Sequence, residues 1–157
     1  MNEIAVARAL HVLAVVIWIG GVSMVTTVVL PALRRGALGG DRHRAFEEIE
    51  RRFVWIARGS VLLAGATGLY MIARLGLWAS FKDAHFWWMH AMLCLWLLFS
   101  LMLFVVEPLI VRRQRKKAGV PPPRALKFAQ RGHWLLLLLS IVTVLGAVAG
   151  SQGWAIF

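Results

Sequence analysis

Four long apolar stretches alternate with short polar ones along the chain, at about Ile4–Leu30, Phe53–Leu75, Phe86–Val111 and Trp134–Ile156. Each is near or above the ~20 residues a helix needs to cross ~30 Å of hydrocarbon. The pattern predicts an all-α integral membrane protein, a four-helix bundle of up-down topology in a single domain over residues 1–157. The run Asp41–Arg52 mixes acids and bases without an apolar stripe, so it reads as a solvated inward extension of the second helix. Pro121-Pro122-Pro123 ends any helix in the loop before the fourth span.

Composition agrees with the pattern. Sixty per cent of the 157 residues are hydrophobic and the mean hydropathy is +0.72, too apolar for a soluble domain. A net charge of +11 would suit nucleic acid, but its distribution argues against that. Arg34, Arg35, Arg42, Arg44, Arg51 and Arg52 lie between the first two spans. Arg112, Arg113, Arg115, Lys116, Lys117, Arg124, Lys127 and Arg131 lie between the last two, and the middle loop holds only Arg74 and Lys82. Such blocks orient membrane proteins, with the basic loops cytoplasmic. Both termini are therefore expected to be extracytoplasmic, in a bacterial-type inner membrane. A reporter that is active only outside the cytoplasm is expected to work when fused after Phe157, and activity of a cytoplasm-only reporter there would reverse the topology. The opening Met1-Asn2-Glu3 lacks a positive n-region and the basic pair follows the first span, the charge order of a retained span rather than a cleaved signal peptide.

Tryptophans mark the boundaries. Trp55 and Trp134 fall at the inner interface and Trp78, Trp87, Trp88 and Trp154 at the outer, while Trp18 and Trp96 lie deep. Rows of small residues predict helix contacts: Ser60, Ala64 and Gly68 on the second helix, and Gly146 with Gly150, beside Ser140, Ala147 and Ser151, on the fourth. A flat cofactor beside those glycines would leave the same signature.

Ionisable groups inside a bilayer are functional candidates. His11, seven residues after Ile4, and His90, seven after Asp83, each sit ~10 Å inside the outer boundary at 1.5 Å per residue. The first and third helices run parallel and lie diagonally in an up-down bundle, so an imidazole pair facing across the core suits axial ligation of haem b. At 100° per residue, Ile4, Arg8, Ala14, Val15, Trp18 and Val22 share the His11 side, and Phe86, Trp87, Leu93, Cys94, Leu97 and Leu101 the His90 side. Arg8 and Arg74 lie at the height of the propionates, where headgroup anchoring is the competing role. The competing reading of the two histidines is a pair of neutral imidazoles bonded to backbone or hydroxyl groups. His43, His85 and His133 fall at or beyond the boundaries, and Glu107 reads as an interfacial carboxylate paired with the basic loop. A copper site is the alternative for Met89, His90, Met92 and Cys94 with His11, whose soft donors favour Cu(I). Helical geometry limits it: His90 and Cys94 share a face, whereas Met89 and Met92 point elsewhere. The single cysteine, Cys94, allows neither a disulfide framework nor a Cys-type zinc site. No dinucleotide fingerprint, P-loop, nucleophile triad or zinc-protease helix is present, which sets aside ordinary hydrolytic and nucleotide-driven chemistry.

At these residues the chain resembles the copper resistance protein D (CopD) family and its relative, the HemJ-type protoporphyrinogen oxidases. The likeness is carried by Ala9-Leu10-His11-Val12-Leu13-Ala14-Val15-Val16-Ile17-Trp18-Ile19-Gly20-Gly21, then Leu30-Pro31-Ala32-Leu33-Arg34-Arg35, Thr67-Gly68-Leu69-Tyr70 and Trp88-Met89-His90-Ala91-Met92-Leu93. It implies a haem b protein with His11 as a ligand and with Trp18 and Tyr70 beside Arg8 and Arg74 in the cofactor-binding set. The oxidases carry a His-x-Lys pattern on the third helix. Here that stretch reads His90-Ala91-Met92, which puts porphyrin oxidation in doubt and leaves His90 as the second axial candidate. The expected partners are the lipid bilayer, haem and a redox partner, a quinone or an electron-transfer protein, with no nucleic acid and room for a homo-oligomer.

Overall fold

A computed structural model describes residues 2–35, 42–111 and 123–153. The chain is an all-α bundle with four helices long and apolar enough to cross a membrane. Helix α1 spans Asn2–Arg35, interrupted by one π-helical stretch at Val25–Val29. Helix α2 is continuous over Arg42–Leu75. Helix α3 starts as Trp87–Leu101 and continues as a π-helix over Met102–Val111. Helix α4 covers Pro123–Ser151. The expected spans are all there, but the ends differ from the apolar stretches. Helix α1 runs on through Arg35, and α2 reaches inward to Arg42 as the charged run predicts. Helix α4 begins at Pro123, because a proline in the first turn needs no N–H partner and its fixed φ already suits a helix. The last proline of the triplet thus opens a helix. The boundary role expected of Trp154, and the basic block over 112–122, lie outside the described residues.

On the inward end of α2, Arg51 and Arg52 donate to the carboxylate of Glu48 at 2.8 and 2.7 Å. Those two hydrogen bonds, Arg51's first, hold the Glu48 carboxyl below its ordinary range. All three side chains are exposed, so the triad contributes solubility more than stability.

At the other end of α2, Gly76 adopts φ 64° and stops the helix, a left-handed conformation that glycine takes without a Cβ penalty. Two 3-10 turns, Leu77–Lys82 and Ala84–Phe86, then carry the chain to α3. Asp83 joins them, its side chain accepting from the His85 amide at 2.9 Å.

The core is a layer with one or two residues from every helix: Trp18 and Val22, Val61, Phe99 and Leu137. Trp18 and Phe99 meet edge to face with ring centroids 4.7 Å apart, a favoured aromatic geometry, and they close the diagonal between α1 and α3. Two kinds of joint hold the helices around this layer. Helices α1 and α2 approach through small residues, with Ala7 and Ala14 buried on one and Ala57, Ser60 and Ala64 on the other. In lipid no hydrophobic force drives helices together, so close backbone approach is the stabilising element.

Helix α3 docks differently, by laying indole rings on its neighbours' glycines. A Cβ on Gly65 of α2 would stand 2.5 Å from the Trp96 ring. On Gly146 and Gly150 of α4 it would stand 2.4 Å from the rings of Trp87 and Trp88. Trp96 also donates its indole N–H to the Val61 carbonyl at 2.9 Å. Gly146 and Gly150, noted in the sequence, and Gly65, which was not, are therefore seats for the protein's own indole rings, and Trp87 and Trp88 are packing residues.

Candidate functional site

His11 lies on the buried stripe of α1, between Ala7 and Ala14 and two turns above Trp18. Its ring packs on Gly68 of α2, where a Cβ would come within 3.2 Å of Cε1. Nδ1 is 2.9 Å from the Ala64 carbonyl and 3.1 Å from the Thr67 hydroxyl oxygen. The Thr67 proton is already committed, since its hydroxyl donates to the Leu63 carbonyl at 2.6 Å. Both neighbours of Nδ1 are thus acceptors, which fixes the tautomer: Nδ1 carries the hydrogen and Nε2 keeps its lone pair. No partner faces Nε2 among the described residues. A backbone carbonyl that orients imidazole in this way is the usual support of a metal-ligating histidine.

His90 has the opposite arrangement. Nε2 is 3.0 Å from the Phe81 carbonyl and Nδ1 is 3.3 Å from the Phe86 carbonyl, with the Phe81 ring edge-on at 5.4 Å. A neutral imidazole donates once, and the shorter contact assigns that hydrogen to Nε2. The residue pins the outer loop to the top of α3. Its face also departs from expectation. Leu93, Cys94, Leu97 and Leu101, placed beside it on the core side by the helical wheel, are exposed. The buried stripe is instead Trp88 and Phe99, with Leu95, Trp96 and Leu103 packed along it. His11 and His90 thus hydrogen-bond to different partners, the one to α2 and the other to the outer loop and its own helix.

Arg74 pairs with Glu3 at 3.3 Å and Tyr70 donates to the same carboxylate oxygen at 3.1 Å; the Arg74 guanidinium also lies over the Tyr70 ring at 5.9 Å. These two expected cofactor contacts bind the first residues of α1 to the end of α2. Arg8 is exposed. Trp18 retains a feature that bears on ligand binding: its Nε1 is the one buried side-chain nitrogen or oxygen without a partner among the described residues. His85 meets Phe86 and Trp88 edge to face, and Nδ1 of His133 turns back on the Ala129 carbonyl of its own helix at 2.9 Å. The side chain of His43 lies outside the described residues.

Haem b requires an imidazole with a free lone pair and a ring-sized space. His11 meets the first condition and His90 does not, so the donor chemistry suits one histidine ligand, not two. The glycine faces of α2 and α4 are filled by indoles. The stripe from His11 to the orphaned Trp18 N–H, about 10 Å at 1.5 Å per residue, carries the two ring nitrogens that face no partner among the described residues. Of the expected copper donors, Cys94 is exposed. Among the described residues no group of three or more His, Cys, Asp or Glu side chains is placed to hold a metal ion.

One polar feature went unread in the sequence. Arg58 lies on α2, seven residues and ~10 Å further into the span than Arg51, and forms an ion pair with Glu107 of α3 at 2.9 Å. Their side chains are only 19% and 23% exposed. Glu107 thus pairs with a neighbouring helix, while the basic loop expected to pair with it lies outside the described residues. The Arg58 Nε and Nη2 also donate to the Leu103 carbonyl at 3.2 and 2.9 Å, and the guanidinium sits by the rings of Trp55 and Phe104. An ionisable residue inside a span calls for a named partner. Glu107, near the inner end of the third span, is the signal that would have revealed it.

Neither a curated protein nor a solved structure matches the chain. Residues 13–119, from the first helix through the third and into the segment that follows it, match a protein family described as "Domain of unknown function (DUF4149)". That match covers more than half of the chain, and the protein belongs to this family.

Proposed function

We propose that this multi-pass membrane protein binds haem b in the outer half of its bundle, with His11 as the single histidine ligand, in a bacterial-type inner membrane. The carrying observation is the fixed tautomer of His11, whose Nδ1–H is held by Ala64 and Thr67 of the neighbouring helix. The resemblance of the first span to the CopD family and the HemJ-type oxidases, centred on the same histidine, supports it. When bound, haem supplies one-electron exchange at its iron. The chain's own part is to orient Nε2, to surround it with the apolar walls of α1 and α2, and to offer the unpartnered indole N–H of Trp18 to an acceptor atom. One histidine leaves a coordination position open, which favours reaction with a small ligand or substrate over pure electron relay. The lysine that the oxidases use on the third helix is replaced by Met92, so porphyrin oxidation is not part of the reading. The redox partner falls in the class of quinones or electron-transfer proteins.

The test is the absorption spectrum of protein purified in mild detergent from cells supplied with a haem precursor. A reducible Soret band whose five-coordinate form binds carbon monoxide is expected. Colourless protein from haem-replete cells would overturn the proposal.

A further inference from the structure

Helices α1 and α3 each turn π-helical toward their inner ends. In α1 the π-helical stretch Val25–Val29 precedes Leu30-Pro31-Ala32-Leu33-Arg34-Arg35. In α3 the π-helical stretch Met102–Val111 contains Pro108, within Glu107-Pro108-Leu109-Ile110-Val111-Arg112-Arg113. Both motifs read proline, a short apolar step and an arginine pair. Both open a helical hairpin whose second member, α2 or α4, runs unbroken. The chain thus repeats one design: a helix broken near its inner end, followed by a continuous one. Interrupted segments at corresponding positions of two halves are a feature of transporters, in which one repeat moves against the other.

The chemistry of the breaks is specific. In a π-helix the N–H of residue i bonds the carbonyl of residue i−5, and Pro108 has no N–H, so the carbonyl of Leu103 loses its donor. A carbonyl unpaired in lipid costs free energy that some other donor must offset. Arg58 fills that place from α2 with two hydrogen bonds, while Glu107 on the broken segment neutralises it. The repair is made by a neighbouring helix, so the inner part of α3 is held by contacts that separate when it moves away. In α1, Thr26 and Thr27 turn their hydroxyls back onto the Val22 and Ser23 carbonyls, at 2.6 and 2.8 Å, an arrangement that bends helices. Arg34 beyond the break is held by the side-chain oxygen of Gln130 on α4.

We propose that the inner ends of α1 and α3 are two hinged arms that close the cytoplasmic half of the bundle, latched by Arg58 on Glu107 and by Arg34 on Gln130. Opening them exposes the central layer around Trp18 and Leu137 to the cytoplasmic side. The inference does not depend on haem. It predicts local release, confined to the arms, when a latch is weakened.

Hydrogen exchange read by mass spectrometry on the full chain in lipid nanodiscs tests it. In the wild type, amides over 25–35 and 102–111 are expected to exchange about tenfold faster than those over 5–20 and 87–101. Glu107→Gln is expected to speed 102–111 by about a further tenfold and leave 53–75 unchanged. Adding Pro108→Ala to that variant returns an N–H to the Leu103 carbonyl and is expected to cancel the gain. In parallel, a Leu137→Cys probe in a Cys94→Ser background should react about tenfold faster with a membrane-impermeant thiol reagent from the cytoplasmic side when Glu107→Gln is present. No change at 102–111, an acceleration spread evenly over all four helices, or one that Pro108→Ala fails to reverse would each overturn the latch.

Discussion

His11→Ala is expected to strip haem from the purified protein, while His90→Ala is expected to leave it bound with its spectrum little changed. The asymmetry follows from the nitrogen atoms. His11 presents an unengaged Nε2 because its Nδ1 hydrogen is shared between the Ala64 carbonyl and the Thr67 hydroxyl. The shorter contact of His90 commits its Nε2 hydrogen to Phe81, and its Nδ1 lies against the Phe86 carbonyl. Using His90 as a ligand would mean freeing the outer loop and turning the ring from its present face. Membrane insertion should survive both substitutions, since alanine in an apolar span removes a polar group from lipid. Thr67→Val supplies an intermediate case: the ring loses one acceptor but keeps the Ala64 carbonyl, so haem should be held more weakly by roughly tenfold, the size of a loss in ligand support. Equal loss of haem in the His11 and His90 variants would restore a ligand pair across the bundle and remove the single-histidine reading.

Arg58→Leu is expected to cost about 3 kcal/mol of stability, because it leaves a carboxylate without its partner and a carbonyl without its donor. In a thermal melt of the detergent-solubilised protein this corresponds to a drop of roughly 6–12 °C. The double variant Arg58→Leu with Glu107→Leu should recover part of that loss, since two apolar residues remove the stranded charge. It should not recover all of it, as the Leu103 carbonyl still lacks the two hydrogen bonds it accepts from Arg58. A single variant as stable as the wild type would mean that water or lipid headgroups serve both groups, and that the ion pair does not hold the helices together. The order of the melts, with the double variant between the single variant and the wild type, is the outcome that checks the account.

The spans, their number and the inward extension of α2 were legible because each rests on length, charge blocks and turn residues, which do not depend on what packs where. The rotational setting of α3 was not. That helix is apolar around its whole circumference, and in lipid an apolar residue is equally suited to the core and to the outside. Leu97 and Phe99 therefore look alike in the sequence, although one is exposed and the other buried. What sets the rotation is the fit of Trp87, Trp88 and Trp96 to three glycines on two other helices, which is long-range information. Arg58 was overlooked because one arginine hardly lowers the hydropathy of a long span, and its partner is 49 positions further along the chain.

Those three indole seats also bear on how the chain assembles while it is being made. Helices α1 and α2 join through alanines and a serine, and both have left the ribosome before α3 is complete. The first hairpin can consequently close by itself in the translocon. Trp96 finds Gly65 already waiting on α2, but Trp87 and Trp88 reach the bilayer before the glycines that receive them, which lie 59 and 62 positions later at Gly146 and Gly150. Until α4 enters, two large rings stand exposed to lipid near the outer interface, a region that tryptophan tolerates well. The same residues that lock the finished bundle therefore anchor the unfinished one, and the last helix to arrive completes the packing of the third.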